Sequence, residues 1–322
     1  MFHESTNNMF ERITILHDRA YMLQQVRSFF AARKVLEVDC PCITAAACID
    51  AHIDLMPISY ANQETRYLHS SPEYGMKRLL ADGIGDIYQL SHVFRDSEWS
   101  HKHNPEFMMA EWYRLGISFE EMINETCDFV RLFLGNLPCQ YITYREAFQK
   151  YVGIDYVSAS IEQLYQIVLN QGVKPYVSLE EAKKDDLLFL LVAIVIEPSF
   201  DPDVITALTH FPSSQAALAK TSYRDDEAAA ERFELYYKGI ELANGYHELA
   251  NAEEQRQRLI EANQERKALG KRELPIDEAF LKALEKGLPE CCGVAVGFDR
   301  LMMLRHKTET IHHVIPFGWD QA

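Results

Sequence analysis

The sequence has no long apolar run and no excess of basic residues. Its longest uninterrupted apolar stretch, 187–196, has ten residues, about half of what spans a bilayer, so we expect no membrane segment. The polar and acidic residues at 1–10 predict no signal peptide. Lysine and arginine number 32 against 48 aspartates and glutamates, a formal net charge of −16. Because a non-specific nucleic-acid surface needs basic residues to displace counterions, this balance argues against a large one, although a local basic site stays possible.

Cysteine patterns typical of zinc sites or disulfide frameworks are also missing. The seven cysteines include no C-x-x-C pair, and neither the adjacent Cys291 and Cys292 nor the Cys40-Pro41-Cys42 run has suitable spacing. We therefore expect reduced thiols and a cytoplasmic protein. The sequence also lacks the P-loop, the dinucleotide-binding glycine fingerprint, the H-E-x-x-H zinc helix and the nucleophile elbow. Nothing therefore indicates those four chemistries.

Apolar residues make up 48% of the 322 residues, enough for a substantial core. Apolar side chains at steps of three and four predict an amphipathic helix over 11–34, and the extended segment after it ends at Pro41. A second helix is predicted over 73–82. Strands predicted over 86–94 and 106–115 form a hairpin with a long polar loop.

The segment 118–220 is predicted to be mostly helical, and we interpret it as an insertion that covers or completes the core. The remaining predicted elements are an extended segment over 233–248, a charged helix over 251–269, a strand over 292–296 and a helix over 298–305. Strand pairs mixed with helices predict an α+β fold around an antiparallel sheet.

The hairpin loop carries the first group of candidate residues. Arg95 ends the first strand, and its planar guanidinium suits a phosphate. His101, Lys102 and His103 follow in the loop, and Phe107 on the return strand can stack on a base. Polar hairpin loops are also common without any ligand, so the residues alone leave both interpretations open.

A pair of carboxylates forms the second group. Glu241 and Glu248 are seven residues apart, so a regular strand would place them on opposite faces. A bend or bulge at Gly245 could bring both to one site, where they would suit Mg²⁺ bound to phosphates. Solvated surface carboxylates are the alternative.

The third group lies where the strand over 292–296 enters the following helix through Gly297. Glycine permits a close approach of the backbone to a ligand. Arg300 lies in the first helical turn, where a cation is unfavourable to the helix dipole, and this indicates an anionic ligand. An ordinary surface arginine is the alternative.

In this order the segments resemble the motifs of class II aminoacyl-tRNA synthetases. The helix over 11–34 with Pro41 resembles motif 1, the dimer-forming element, while 95–114 resembles motif 2 and 293–304 resembles motif 3. The strings HNPEF, ELANGYHEL and GFDRLMML are similar to the lysyl-tRNA synthetase branch. The length and the string FELYYKGIELANGYHEL are similar to its truncated paralogue, the elongation factor P–(R)-β-lysine ligase family.

The resemblance covers nearly all of the chain and implies one class II catalytic domain over 1–322. Because motif 1 begins within the first dozen residues, we expect no anticodon-binding domain. The family implies activation of lysine, preferably (R)-β-lysine, by ATP with Mg²⁺, transfer to a lysine of elongation factor P, a homodimer and no stable tRNA binding. The alternatives are a minimal tRNA-charging enzyme, a small-molecule amide synthetase and a catalytically altered paralogue that only binds partners.

The resemblance also implies the site residues. In the amino-acid pocket these are Ser71, Pro72, Glu73, Glu111, Tyr113, Glu248 and Ala295. For ATP they are Arg95, Asp96, Ser97, His103, Asn104, Phe107, Glu241, Leu242, Gly297 and Arg300, with Arg95 and Arg300 catalytic and Glu241 and Glu248 as metal ligands. Two positions depart from lysyl-tRNA synthetases. Ser97 stands where that branch has Glu, with Glu98 next to it, and Ala295 stands where it has Gly.

Overall fold

The computed structural model describes residues 2–61, 64–175 and 177–322, with side chains from residue 11 onward. It contains two compact units. The first is formed by the chain up to Asn136 together with Glu248–Ala322, and the second by Leu137–His247. These bounds differ from the predicted insertion at 118–220.

The elements follow each other as strands and helices of very different length. The strands are β1 (Leu36–Glu37), β2 (Ile43–Thr44), β3 (Pro57–Ser59), β4 (Thr65–Leu68), β5 (Ile87–Phe94), β6 (Glu106–Leu115), β7 (Cys139–Thr143), β8 (Ile205–Pro212), β9 (Thr221–Arg224), β10 (Glu227–Tyr237), β11 (Ile240–His247) and β12 (Cys291–Gly297). The α-helices are α1 (Phe2–Ala32), α2 (Glu73–Ala81), α3 (Phe119–Leu134), α4 (Tyr144–Ala147), α5 (Ile161–Asn170), α6 (Lys184–Leu191), α7 (Ala252–Ala268), α8 (Glu278–Gly287) and α9 (Phe298–Arg305).

The first unit contains strands in the order β1-β5-β6-β12, with β1 parallel to β5 and the other pairs antiparallel. The predicted hairpin is confirmed: β5 and β6 pair from Ile87 opposite Tyr113 to Phe94 opposite Glu106. A small second sheet has the order β2-β4-β3. The predicted helices over 73–82 and 298–305 are confirmed as α2 and α9.

Helix α1 covers the sheet of this unit through its aromatic residues. Phe30 stacks on Tyr88 of β5 with ring centroids 4.1 Å apart and meets Trp112 of β6 edge-on at 5.3 Å. Aromatic pairs of this kind contribute about 0.5–1.5 kcal/mol beyond the free energy gained by burying their apolar surface. The predicted amphipathic helix is therefore present, and it begins earlier than predicted, at Phe2.

One buried ion pair connects three elements of the first unit. Arg19 of α1 binds the carboxylate of Asp299 in α9, and the other oxygen of Asp299 accepts the N–H of Met108 in β6 at 2.8 Å. Arg19 also donates to the carbonyl of Val314 at 3.2 Å. Both charges are buried, so removing either partner would leave the other unpaired at a cost of about 3–5 kcal/mol.

The second unit has strands in the order β11-β10-β8-β7, and β9 pairs with β10. Its core centres on an aromatic group in which Tyr144 contacts Phe148, Tyr156 and Phe211 at centroid distances of 4.9–5.3 Å. Residues of α4, α5, α6, β8 and β10 also contribute to this apolar cluster.

Helices predominate over strands in 118–220, but the interpretation of this segment as a helical insertion differs from the structure in two respects. Helix α3 belongs to the first unit, and the segment also contains β7 and β8. Strand β8 is buried at seven of its eight residues, so both of its faces are covered and the sequence shows no alternation of apolar and polar residues. The apolar run 187–196 is helical: it forms the end of α6 and a π-helical turn over Val192–Ile196.

The predicted bulge at Gly245 is wrong. Gly245 pairs regularly with Phe233, and the irregularity lies at Leu242 of the same strand, since Leu235 pairs with Ala243 whereas Tyr236 pairs with Glu241. The chain reverses at Lys238 and Gly239, both with positive φ. All seven cysteines are free, as expected. Among the described residues, no helix combines the length and apolarity needed to cross a bilayer.

Candidate active site

Three glutamates are buried around one lysine in the first unit. Glu73 lies in the first turn of α2, Glu111 in the middle of β6, and Glu248 directly after β11. Lys77, one helical turn after Glu73, places its ammonium 2.6 Å from Oε1 of Glu73 and 2.5 Å from Oε2 of Glu248. The side chain of Lys77 is 0% exposed, so both ion pairs form away from solvent.

Neutral groups hold the third carboxylate. The hydroxyl of Ser71 donates to Oε2 of Glu111 at 2.7 Å, and the hydroxyl of Tyr113 donates to Oε1 at 2.8 Å. Ser71 also accepts the backbone N–H of Glu73 at 3.0 Å, while Pro72 lies buried between them at the start of α2. Predicted pocket residues from α2 and β6 therefore meet in one hydrogen-bonded group.

Strand β12 forms the neighbouring part of this surface. Gly293 lies opposite Tyr113 and Ala295 opposite Glu111, and cross-strand partners share a face of the sheet. A Cβ on Gly293 would lie 2.3 Å from the Tyr113 ring and 2.4 Å from Oε1 of Glu248. Glycine is therefore required here, because both pocket side chains occupy the space beside its Cα.

Burial changes the protonation of two of the glutamates. Desolvation, followed by the charge of Glu73, raises the pKa of Glu111 to about 7, although hydrogen bonds from Ser71 and Tyr113 act in the opposite sense. Desolvation raises the pKa of Glu248 to about 8 against the opposing charge of Lys77. Burial alone would lower the pKa of Lys77, but Glu248 and Glu73 outweigh it and raise that pKa. The lysine therefore stays charged, and Glu111 and Glu248 titrate near neutral pH.

Arg95 and Phe107 lie together at the other predicted end of the site. The guanidinium carbon of Arg95 is 5.1 Å from the Phe107 ring centroid, and its Nη1 is 3.8 Å from Glu98. Within the part of the chain that the structure describes, the buried Nε of Arg95 has no hydrogen-bond partner. Ser97 is exposed with a φ of 63°, so Glu98, and not Ser97, contacts the arginine.

His103 connects the hairpin loop to α9. Its Nδ1 is 2.8 Å from the hydroxyl of Ser100, and its Nε2 is 2.8 Å from Nη2 of Arg300. These contacts join two of the predicted nucleotide residues, His103 and Arg300, directly. The loop and the first turn of α9 thus form one hydrogen-bonded group.

Asn104 lies differently from the expectation that it faces ATP. It is buried, its amide nitrogen donates to the carbonyl of Glu106 at 2.6 Å, and its oxygen accepts the N–H of Trp319 at 3.0 Å. Both ends of the carboxamide therefore bind backbone groups, and the side chain stabilises the hairpin loop.

The other predicted nucleotide residues are more scattered. Asp96 is exposed, and its N–H donates to the carbonyl of Asp54 at 2.8 Å. Gly297 is the N-cap of α9, where a Cβ would meet only the side chain of Arg300 at 3.6 Å. Glu241 and the buried Leu242 lie on β11 in the second unit.

The predicted metal ligands do not fit Mg²⁺ well in this structure. Within the described ranges, no group of three or more His, Cys, Asp or Glu side chains is arranged to hold a metal ion. Glu248 is already paired with Lys77. That ion pair occupies Oε2 and leaves one carboxylate oxygen of Glu248, Oε1, for a divalent cation.

The sequence did not reveal Lys77, Gly293 or Asp299 as functional. One signal was present for Lys77: a Glu–Lys pair at i,i+4 between apolar residues of α2. No local signal marks Gly293 or Asp299, because their importance comes from contacts with β6 and α1, which are distant in the chain.

Comparisons with known proteins agree with the resemblance seen in the sequence. Residues 6–321 match the protein-family profile described as tRNA synthetases class II (D, K and N). The chain belongs to the class II tRNA synthetase family. Among its relatives are proteins called elongation factor P–(R)-β-lysine ligase from Haemophilus influenzae (strain PittGG), Salmonella gallinarum (strain 287/91 / NCTC 13346) and Klebsiella pneumoniae (strain 342). Each is 43% identical over 311 or 312 residues, covering 94% of this chain and 94% of the relative.

Membership of this family confirms the resemblance found in the sequence and the α+β fold class. The class II motifs correspond to α1 with the chain to Pro41, to β5 and β6 with their loop, and to β12 with α9. In the first unit Asp299 connects all three, because it binds Arg19 of the first, Met108 of the second and itself lies in the third.

Proposed function

We propose that this protein activates lysine with ATP and attaches the lysyl group to a lysine side chain of elongation factor P, with (R)-β-lysine as the preferred amino acid. The relatives described above support the reaction, since their names state it. The alternatives predicted from the sequence, tRNA charging, small-molecule amide synthesis and a catalytically altered paralogue, remain as outcomes of the experiment below.

The observation that carries this proposal is the group of three buried glutamates with a single lysine. When all are ionised, they have two uncompensated negative charges in a buried site. Such charges are costly unless a ligand pairs with them. Lysine and β-lysine each bring two ammonium groups, which match this requirement, whereas a neutral side chain would leave one carboxylate unpaired.

The reaction then proceeds in two balanced steps. The carboxylate of the amino acid attacks the α-phosphorus of ATP, pyrophosphate leaves, and lysyl-adenylate forms. The neutral amine of the acceptor lysine next attacks the acyl carbon, an amide bond forms, AMP leaves, and the amine loses a proton. No side-chain nucleophile is needed, because positioning and charge stabilisation supply the catalysis.

Two arginines are the candidates for charge stabilisation. Arg95 offers a buried Nε–H that has no partner among the described residues, next to the face of Phe107, where an adenine can stack. Arg300 lies beside the loop through His103. When bound, Mg²⁺ would supply Lewis-acid stabilisation of the phosphates.

We also propose a cytoplasmic homodimer formed through residues 11–41, with one catalytic domain over 1–322 and no stable tRNA complex. Exposed apolar side chains in this region support the dimer: Ile13 is 44% exposed, Tyr21 52% and Leu36 51%. Large exposed apolar groups of this kind mark protein interfaces. Light scattering at micromolar concentration tests the dimer, and a monomer would contradict it.

The function is tested by mass spectrometry of elongation factor P after incubation with this protein, ATP and β-lysine. We expect a mass increase equal to one β-lysyl group, and none without ATP or with the acceptor lysine replaced by arginine. Parallel incubations with bulk tRNA and with ammonia separate the alternatives. Charged tRNA would indicate a tRNA-charging enzyme instead, and lysinamide without modified elongation factor P would indicate a small-molecule amide synthetase. The absence of lysine-dependent pyrophosphate exchange would indicate the catalytically altered paralogue.

A further inference from the structure

Lys77 is the one member of the buried group that the proposed reaction does not use. Its side chain is fully buried in α2, with its ammonium between Glu73 and Glu248 and 6.0 Å from the ring centroid of Phe280 in α8. A buried ammonium loses its hydration, and it persists only where its partners compensate for that loss. Packing alone therefore does not explain why a lysine occupies this position.

We propose that Lys77 is a positioning residue that sets the charge of the amino-acid pocket, so that the pocket takes a substrate with two ammonium groups. Its ammonium cancels one of the three glutamate charges and leaves two for the ligand. This inference rests on the proposed function, because it names the property by which the same site selects a diamino acid.

The geometry gives the three carboxylates different surroundings. Glu73 and Glu248 share the ammonium at 2.6 and 2.5 Å, which fixes the orientation of both carboxylates. The hydrogen bonds to the Glu111 carboxylate come from the neutral hydroxyls of Ser71 and Tyr113. Lys77 therefore acts on a carboxylate from α2 and on one that follows β11, and it leaves Glu111 to the substrate.

The other titratable groups around Lys77 are neutral. Burial raises the pKa of Tyr113 on β6, of Cys291 on β12 and of Cys48 in the chain before β3, so none carries a charge near neutral pH. The charges that face the ammonium are therefore those of Glu73, Glu248 and, further away, Glu111. The charge of the pocket depends on these four residues.

Without Lys77 the pocket would hold three carboxylates and no cation. Like charges in a buried site cannot all ionise, so a carboxylate would take up a proton in place of the missing ammonium. A diammonium substrate would then have to displace that proton, and its affinity would become more dependent on pH. Removing one carboxylate together with Lys77 restores the original charge.

The test compares four proteins: the wild type, Lys77→Met, the charge-restored double variant Lys77→Met/Glu248→Gln, and the control Lys286→Met. Methionine has nearly the length of lysine without its charge. Lys286 is an exposed lysine of α8 that pairs with Asp82, so its removal changes the charge of the protein but not of the pocket. The full-length chain is used throughout.

The first measurement is the KM for lysine in pyrophosphate exchange between pH 6.5 and 9. For Lys77→Met we expect a KM about tenfold higher at pH 7 and a pH midpoint about one unit above that of the wild type, because one displaced proton changes affinity tenfold per unit. In the double variant we expect the midpoint to return towards the wild-type value, whatever its absolute KM. A midpoint unchanged in Lys77→Met overturns the proposal.

The second measurement needs no substrate. A carboxyl group whose pKa is raised on folding binds more protons in the folded state, so stability falls as pH rises until the folded-state pKa is passed. Between pH 6 and 9 we expect the melting temperature of Lys77→Met to fall more steeply than those of the wild type, the control and the double variant. Parallel curves overturn the charge role.

These measurements also separate the inference from the proposed function. If the wild type shows no lysine-dependent exchange, the proposed function fails, while the melting curves still decide whether Lys77 sets the charge of the buried group. If Lys77→Met does not fold at pH 8, folding at pH 6 or in the double variant supports the proposal. Failure to fold in both cases overturns it, because packing alone would then explain the lysine.

Discussion

Nη2 of Arg300 lies 2.8 Å from Nε2 of His103. A guanidinium group can only donate, so Nε2 accepts and the ring proton is on Nδ1, from which it is donated to the hydroxyl of Ser100 at 2.8 Å. His103 is therefore assigned as the neutral Nδ1–H tautomer. Through this ring, the hairpin loop fixes the direction of an arginine that the proposed mechanism needs beside the phosphates.

Loss of this support should weaken nucleotide binding selectively. For His103→Ala we expect the KM for ATP in pyrophosphate exchange to rise about tenfold, the value of one hydrogen bond to a charged group, while the KM for lysine stays near that of the wild type. His101→Ala is the matched control, because this exposed histidine uses only its backbone carbonyl, which accepts the N–H of Ile311. Equal effects of the two substitutions would exclude the positioning role of His103.

Ala295 should influence the choice between α- and β-lysine. It lies directly opposite Glu111 in the pairing of β12 with β6, so its methyl group stands on the face of the pocket. One methyl group in a pocket is worth about 1–3 kcal/mol of discrimination, or ten- to two-hundred-fold. We expect Ala295→Gly to raise kcat/KM for α-lysine relative to β-lysine. An unchanged ratio of the two kcat/KM values would show that this methyl group has no role in selection.

Gly293→Ala should damage the amino-acid pocket and the fold together. The added methyl group would meet Tyr113 at 2.3 Å and Glu248 at 2.4 Å. Overpacking of this kind costs about 1–3 kcal/mol, and we expect that loss in chemical denaturation together with a large rise in the KM for lysine. For comparison, Gly297→Ala has room at 3.6 Å and an ordinary φ of −73°, so its stability should stay near that of the wild type. Similar stabilities of the two variants would refute the packing argument.

Lysine binding should weaken in acid. In the free protein the pKa values of Glu111 and Glu248 are raised to about 7 and about 8, and a diammonium ligand binds the ionised forms. Both groups are ionised above pH 8, so the KM is lowest there. As pH falls through 8 and 7 the ligand must displace protons, and the KM should rise by up to tenfold per unit for each proton displaced. We expect this rise between pH 8.5 and 6, and a constant KM would contradict the raised pKa values.

Local patterns predicted the elements whose apolar period is clear. The helix α2 and the hairpin of β5 and β6 are examples, since each buries one face and leaves signals at its ends. Strand β8 was missed because both of its faces are buried, and the position of the bulge at Leu242 of β11 depends on cross-strand packing that no single segment shows.

The residues of the candidate site also divide into those that local sequence patterns predict and those that only the fold brings together. Residues on known motifs were found because the motifs are continuous in sequence. The pairing of Lys77 with Glu248 spans 171 positions between residues that belong to different segments, so only the folded chain reveals it. For Asn104 the motif predicts a ligand contact, and the folded chain adds a contact that the motif does not show, because Trp319, far along the chain, donates its N–H to the amide oxygen.

The crowding around Gly293 also constrains the order in which substitutions can accumulate in descendants of this protein. A side chain at this position becomes tolerable only after both Tyr113 and Glu248 have become smaller or turned away, since each one alone blocks the space. Either of those changes, made first, removes an acceptor or a donor from the buried group. A lineage that changes to an amino-acid substrate with a single ammonium group must therefore lose the old pocket before position 293 can accept a residue other than glycine. Once a larger residue had filled the space, selection would act against reversal.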